Sequence, residues 1–328
     1  MPAARVDAGP VRDGGRRSGR PGAGRSRPVA LPRDRARHTS RGCDQWEPLA
    51  GVELLERLRI TGRPRPKADP DLAARLRDEL EQGLLLVSQV PGDAGAVRRG
   101  AASPLVVTKD RLTRALSCGG SQGEIEFGRR APSTAMACGA IVDALFRQLV
   151  TVGSIGEPMV DGLAALSVDD RQAELVSWIE RMPGPEWDGL RAEVERQADG
   201  LLRRWPVLDP AWLPRTQEAL RVGLAEGAVE LSARVDLAIG RPVEDRASVA
   251  IVEVKSGGRR VEHRADLHFY ALIEALRSPA PPFVVATYYT RTGELDVDPV
   301  TDDLLTAAGR RVLAGARVLL GEAEPGHP

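Results

Sequence analysis

The chain has 328 residues, of which 42% are hydrophobic and 28% are charged. This size and composition predict a soluble globular protein with a sizeable core, arranged as one large domain or two small ones. The 46 basic and 46 acidic residues cancel, but residues 1–42 contain eleven Arg and three Asp, so the remainder is net acidic. An acidic body needs a local basic groove or bound metal ions to accept phosphates, so composition alone does not indicate a nucleic-acid partner.

The three cysteines, Cys43, Cys118 and Cys138, are too few and too irregularly spaced for a disulfide framework or a zinc site. We find no apolar run that looks long enough to span a bilayer, and the N-terminus lacks the apolar core of a signal peptide. These features predict a cytoplasmic protein without a membrane partner.

The chain begins with a segment that has almost no apolar periodicity. Residues 1–45 are rich in Arg, Gly, Pro and Ser, so we predict a disordered tail, either a basic arm that touches phosphates or an extension without function. Residues 46–103 are predicted to form a helical preface, in which Leu72, Leu76 and Leu80 make one apolar stripe.

Residues 104–322 are predicted to form the main domain. An extended stretch ends at Val107, and Thr108 then caps a short helix from Lys109 to Leu116. Ser133 begins a helix over Ala135–Val150 that is apolar on most faces and is therefore expected to be buried. Two further helices between Val168 and Trp205 are predicted to lie in a helical insert over about 154–212.

After Pro214 the apolar spacing changes to that of β-strands. Helices followed by three strands, a helix, a strand and a last helix predict an α/β fold with a mixed central β-sheet flanked by helices. The predicted elements are strands at Leu220–Leu224, Val229–Leu237 and Ser248–Lys255, a helix at Glu262–Arg277, a strand at Phe283–Tyr289 and a helix at Thr301–Leu320.

Three charged residues stand out among the strands. Glu253 and Lys255 are two apart at the end of an apolar strand, so their side chains share a face. Asp236 lies between apolar neighbours in the adjacent strand. Charges at such positions are costly unless they meet partners or a metal ion.

Two carboxylates and a lysine at one sheet end suit phosphodiester hydrolysis. Carboxylates hold Mg²⁺ or Mn²⁺, which activates a bound water, and a lysine can orient that water or neutralise developing charge. Lysine is rare here, because Lys67, Lys109 and Lys255 are the only three in the chain. A merely structural cation would usually be Arg, so Lys255 points to chemistry.

These residues resemble the nuclease core of RecB-type exonucleases in the PD-(D/E)XK superfamily, which has a restriction-endonuclease-like core. The likeness is carried by ARVDL ending at Leu237, IVEVKSG ending at Gly257 and the Asp266–Tyr270 segment, and it covers about 214–320 plus the helix at 135–150. The resemblance implies a Mg²⁺- or Mn²⁺-dependent deoxyribonuclease acting in DNA repair, recombination or defence, with DNA as substrate and a helicase or another repair or defence protein as a candidate partner.

The resemblance also implies roles for individual residues. Asp236 and Glu253 would bind the metal together with the Val254 carbonyl, and Lys255 would be the catalytic lysine. Tyr270 would face the nucleic acid or the site.

The sequence departs from the family pattern in three places. Asp143 stands where a metal-binding His is common, Asp266 replaces a glutamine, and Ala233 replaces a glycine. We expect Asp143 as a further ligand and Asp266 near the substrate or the metal shell. No iron–sulfur cluster is expected, because no cysteine follows Cys138.

Other interpretations of the same residues remain open. Asp236 or Glu253 could form a buried ion pair with Lys255 in an inactive binding module of the same fold. Ser121 lies in a G-x-S-x-G pattern, so a serine hydrolase is a remote alternative. Arg259, Arg260 and Arg264 could grip a DNA backbone or form a solvated face.

Overall fold

The computed structural model describes residues 49–59, 65–88, 104–117, 131–243 and 246–320. The predicted disordered tail, Cys43, Cys118 and Ser121 lie outside these described residues. Predictions about that tail, the serine hydrolase and the first two cysteines therefore stay predictions.

Within the described residues, six strands form one mixed, open sheet in the order β1-β3-β4-β5-β6, with β2 paired to β3. The β1–β3 and β4–β5 pairs are parallel and the other three pairs are antiparallel. The α/β class with a mixed central sheet is thus confirmed. The strands are β1 (Leu105–Val107), β2 (Arg215–Leu224), β3 (Val229–Ile239), β4 (Ala250–Lys255), β5 (Val284–Tyr289) and β6 (Glu294–Pro299).

Helices cover both faces of the sheet. Alternate residues of β4 belong to two apolar clusters: Val252 packs with α4 to α7, whereas Ile251 packs with α2, α3, α8 and α9. The helices are α1 (Leu49–Arg57), α2 (Leu72–Ser88), α3 (Lys109–Ser117), α4 (Thr134–Val152), α5 (Pro158–Ser167), α6 (Ala173–Glu180), α7 (Gly184–Arg204), α8 (Val261–Arg277) and α9 (Asp302–Leu319).

The stripe of Leu72, Leu76 and Leu80 on α2 is buried in the same cluster as the sheet residues Leu231 and Ile251. The segment predicted as a helical preface therefore contributes α2 to one face of the central sheet. The apolar periodicity located this helix, but it could not identify the surface against which the helix packs.

The direction of two strands brings the site together. β2 pairs along most of β3, so β1 and β4 share the other edge of β3. β1 runs parallel to β3 beside Val229–Leu231, and β4 runs antiparallel beside Leu237–Ile239. The carboxyl ends of β1 and β4 therefore point toward each other along one strand.

Two elements were missed by the sequence analysis. β6 lies between the predicted strand at Phe283–Tyr289 and the predicted last helix, and α5 precedes the two helices that we predicted in the insert. Only Leu295 is buried in β6, so this edge strand lacks the apolar alternation that reveals a strand.

The expectation that no apolar run could span a bilayer was wrong for α4. This helix of 19 residues has a mean hydropathy of 1.5 over its apolar window, which satisfies the length and composition of a membrane span. Its apolar side chains instead pack against α5, α7 and the sheet, as expected for a core helix. This packing is consistent with a soluble protein.

Candidate functional site

The site is built around Glu253, which lies on β4 and is only 3% exposed. Its neighbour Lys255 occupies the last position of β4, on the same face. Lys109 arrives from the opposite direction, as the first residue of the helix that follows β1. Thr108 fixes the start of that helix, because its Oγ1 accepts the Arg111 backbone N–H at 3.3 Å.

The two oxygens of Glu253 have very different surroundings. Oε1 accepts hydrogen bonds from Lys109 Nζ and Lys255 Nζ, both at 2.6 Å, and from the Tyr270 hydroxyl at 3.3 Å. Oε2 is buried and has no hydrogen-bond partner among the described residues. Oε1 therefore accepts from three donors, whereas Oε2 remains available as an acceptor.

The two lysines keep Glu253 ionised. Burial alone would raise the pKa of Glu253, but Lys255 and Lys109 offset this effect and hold it below the usual value. Burial would likewise lower the pKa of Lys109, but Glu253 and Tyr270 outweigh it and raise that pKa. Lys109, Lys255 and Tyr270 form the basic half of the site.

Asp143, Asp236 and Gln217 form the acidic half of the site. Gln217 Nε2 donates to Asp143 Oδ1 at 3.3 Å and to Asp236 Oδ1 at 3.4 Å, both long hydrogen bonds. The other oxygen of Asp236 accepts the Val254 backbone N–H at 2.8 Å. A neutral amide thus bridges two carboxylates that Lys255 does not bond.

The carboxylates of the acidic half destabilise one another's charge. Burial, then the charges of Glu253 and Asp143, raise the pKa of Asp236 well above its usual value. Burial also raises the pKa of Asp143, although Arg147 at 3.2 Å opposes the shift. Arg147 beside Asp143, and Lys255, therefore offset the effect of burial on these two aspartates only in part.

Asp266 and Tyr270 lie on α8 behind the basic half. Asp266 Oδ2 is 3.8 Å from Lys109 Nζ, and burial raises the pKa of Asp266. Tyr270 is 1% exposed, so in this structure it faces the site and is covered from a nucleic acid. Both residues act on the lysine–Glu253 cluster rather than on the surface.

The three arginines near the site have different surroundings. Arg264 pairs with Asp298 at 2.7 Å, and Arg259 pairs with Asp296 at 2.5 Å, both on β6. Arg260 instead is exposed and lines a cleft beside Lys255. A role in gripping substrate is open to Arg260 directly, whereas Arg259 and Arg264 would first have to leave their acidic partners.

Two clefts open on the site. The larger, of about 630 Å³, is lined by Asp143, Lys255, Arg260 and His263 together with the start of α4. The smaller, of about 310 Å³, is lined by Lys109, Tyr270 and residues of β2 and β3. Lys255 and Lys109 thus reach Glu253 from separate clefts, and Lys255 lies on the wider one.

Two residues of the site were not singled out from the sequence. Lys109 could have been found from the sequence, because lysine is rare in this chain and Lys109 is one of only three. In the structure two of the three lysines contact Glu253. Gln217 could not have been found in this way, since one glutamine in a strand is unremarkable in sequence. Its position depends on the pairing of β2 with β3 opposite Asp236.

The carboxylates suit a divalent cation, although they are not yet arranged around one. Among the described residues, no three His, Cys, Asp or Glu side chains already converge as a ligand group. Glu253 Oε2 is nevertheless buried with no hydrogen-bond partner from the described part of the chain, and Asp143 and Asp236 supply further hard carboxylate oxygens, whose pKa values burial raises. In donor chemistry, the carboxylates of Asp143, Asp236 and Glu253 therefore suit Mg²⁺ or Mn²⁺.

Comparison with known proteins adds no assignment, because no family model matches the chain and no curated protein matches it.

Proposed function

We propose that the protein is a divalent-metal-dependent nuclease that hydrolyses DNA phosphodiester bonds, with a restriction-endonuclease-like core of the PD-(D/E)XK type. The observation that carries the proposal is the unpartnered Glu253 Oε2, which is buried beside two carboxylates of raised pKa while Lys255 lines an open cleft. A role in DNA repair, recombination or defence, and work beside a helicase, are part of the same proposal.

Asp143, Asp236 and Glu253 would hold Mg²⁺ or Mn²⁺, with the Val254 carbonyl as a further oxygen ligand. The cation would polarise the scissile phosphate and lower the pKa of a water molecule. Lys255 is near enough to the carboxylates to orient that water by hydrogen bonding and to offset charge growing on the phosphate. Arg260 and His263, on the same cleft, are positioned to bind the neighbouring phosphates.

The basic half explains how the site tolerates Asp266 where the related family has glutamine. Lys109 lies between Asp266 and Glu253, at 3.8 Å and 2.6 Å, and neutralises the extra carboxylate. In this proposal Lys109 and Tyr270 are positioning residues that fix the rotamer of Glu253, while Lys255 contacts the substrate.

A second candidate is an inactive binding module of the same fold. Its support is the pair of lysines on Glu253 Oε1, which resembles a self-neutralised ion cluster. Against it, Asp236 accepts its hydrogen bonds from Gln217 and from the Val254 N–H, so neither lysine bonds this carboxylate.

The test is cleavage of labelled linear and circular DNA by the full chain, with Mg²⁺, with Mn²⁺ and with EDTA. Lys255→Ala is the diagnostic variant, and Lys67→Ala is the matched control, since Lys67 is an exposed lysine outside the site. We expect cleavage that requires metal, is lost in Lys255→Ala and persists in Lys67→Ala.

Comparing linear with circular DNA separates an exonuclease from an endonuclease, because circular DNA has no end from which to cut. Absence of cleavage with either metal, together with equal DNA binding by wild type and Lys255→Ala, would favour the inactive module. Cleavage that survives in EDTA would contradict a metal-dependent mechanism.

A further inference from the structure

Gln217 has a left-handed backbone inside an otherwise extended strand. Its φ is 55°, a conformation that is strained for a residue other than glycine. The flanking pairs Thr216–Leu237 and Glu218–Val235 keep a single register, so no residue is inserted. Within β2 the distortion therefore lies at Gln217, directly opposite Asp236.

The facing strand changes phase at the same place. Leu231 and Val235 of β3 pack into the cluster with α8 and α9, whereas Leu237 and Ile239 pack into the cluster on the opposite face. A regular strand would keep all four residues on one side. Both strands thus deviate where Gln217 faces Asp236, and the deviation aims both side chains at Asp143.

The side chain of Gln217 fills the space between two carboxylates. Its Nε2 is 3.3 Å and 3.5 Å from the oxygens of Asp143 and 3.4 Å from Asp236 Oδ1. Three contacts of this length show an amide that bridges both carboxylates without a short bond to either one. The nitrogen lies where a cation shared by Asp143 and Asp236 would be expected.

An amide differs from the lysines of the basic half in two ways. It is neutral, so it holds Asp143 and Asp236 together without cancelling their charge. It also carries a donor and an acceptor on one planar group, so rotation about its last side-chain bond replaces nitrogen by oxygen at the same point. Amide oxygens are hard ligands of the kind that divalent cations accept.

We propose that Gln217 belongs to the cation site. Without the ion its amide nitrogen bridges Asp143 and Asp236, and with the ion the amide turns so that Oε1 faces the cation. The left-handed backbone is the local strain that aims the side chain at this point. The inference rests on the proposed function, because it needs a divalent cation at the acidic half.

The experiment measures Mn²⁺ binding to the full chain by titration calorimetry, and thermal unfolding in EDTA. Gln217→Ala removes the amide and keeps the strained backbone, whereas Gln217→Gly removes the amide and relieves the strain. Gln217→Glu keeps an oxygen ligand and loses the donor. Glu226→Gly is the control, because Glu226 is an exposed turn residue that also has a φ of 55°.

We expect Gln217→Ala and Gln217→Gly to bind Mn²⁺ about tenfold more weakly than wild type. Gln217→Gly should unfold at a higher temperature than Gln217→Ala while showing the same weakened binding. Gln217→Glu should bind Mn²⁺ more tightly and unfold at a lower temperature in EDTA, because three carboxylates then repel one another. Glu226→Gly should leave Mn²⁺ affinity unchanged.

Two outcomes would overturn the inference, and they differ in what they say of the proposed function. If wild type binds Mn²⁺ and Gln217→Gly binds it equally well, Gln217 is structural and the metal site stands without it. If wild type does not bind Mn²⁺, both proposals fail. Gln217→Gly keeps the test decisive if Gln217→Ala does not fold.

Discussion

The basic and acidic halves of the site treat their carboxylates in opposite ways. In the basic half, two lysines and a phenol converge on one oxygen of Glu253 and hold its pKa below the usual value. In the acidic half, Asp143 and Asp236 share one neutral amide, and burial together with the charge of Glu253 raises the pKa of both, although Arg147 opposes the shift at Asp143.

The two halves differ in which of their carboxylate oxygens have a cationic partner. A structural ion cluster distributes its cations so that every buried carboxylate has a partner. Here Glu253 Oε2 has no hydrogen-bond partner in the part of the chain that the structure describes, and burial raises the pKa of both aspartates, which supports the proposed cation site on that side. Substitutions in each half should therefore change stability in opposite directions.

The largest effect is expected at Glu253, where the halves meet. Glu253→Gln leaves Lys109 and Lys255 without their shared anion, so we expect a loss of about 3–5 kcal/mol in the free energy of unfolding. Urea denaturation measures it, and the double variant Glu253→Gln/Lys109→Met should recover part of the loss. A loss below about 1 kcal/mol would show that the ion cluster is weakly coupled to folding.

The second prediction separates the two lysines. Lys109→Met should lower the free energy of unfolding by about 1–3 kcal/mol, because it leaves Glu253 with fewer donors. Lys255→Met should lower the cleavage rate by a factor of roughly 10²–10³, because Lys255 lines the cleft that would receive substrate.

Two measurements on the same preparations test this division. They are the initial rate of DNA cleavage and the free energy of unfolding from urea denaturation. We expect Lys109→Met to keep most of its activity under conditions where the variant remains folded. Equal losses of activity in the two variants would show that both lysines act on the substrate, and the assignment of Lys109 as a positioning residue would be wrong.

The third prediction concerns Asp236 and has the opposite sign. Asp236→Asn removes a buried charge that Glu253 and Asp143 repel, so in EDTA at neutral pH the variant should be more stable than wild type by about 1 kcal/mol. This corresponds to a rise in Tm of roughly 2–4 °C. The variant should also lose the stabilisation that Mn²⁺ gives to wild type.

The pH dependence of this gain follows from the raised pKa of Asp236. Near and below its ordinary value of 3.8 the carboxyl is protonated in both folded and unfolded chains, so wild type and variant should converge. As the pH rises, the unfolded chain ionises first, and the folded wild type loses stability until its own raised pKa is passed. A stability difference that shrinks with rising pH would contradict the assignment.

The smallest effects are expected outside both halves. Arg264 is largely exposed and pairs with Asp298 on the surface, so Arg264→Ala should change the free energy of unfolding by less than about 0.5 kcal/mol. Arg260→Ala should weaken DNA binding, because Arg260 lines the wide cleft. Fluorescence anisotropy with labelled DNA compares the DNA affinity of the two variants. A larger loss of affinity in Arg264→Ala than in Arg260→Ala would show that DNA binds nearer to β6 than to the wide cleft.

The sequence alone predicted the α/β class of fold and singled out Asp236, Glu253 and Lys255. Alternating apolar residues located β3, and a continuous apolar run located β4. The capping residues Thr108 and Ser133 located the starts of α3 and α4. The two-residue spacing of Glu253 and Lys255 predicted a shared face, which the 2.6 Å contact confirms. These features are local, because strand period and helix caps are set by neighbours in the chain.

Only the tertiary structure decided the rest of the site. Lys109 lies 144 residues before Glu253, and it reaches that carboxylate because β1 and β4 run toward each other along β3. Gln217 meets Asp143 and Asp236 through strand pairing and a left-handed backbone, neither of which its sequence neighbourhood indicates. Local patterns determine which residues are buried and which face they share, whereas charge neutralisation depends on partners that only the packing of distant strands supplies.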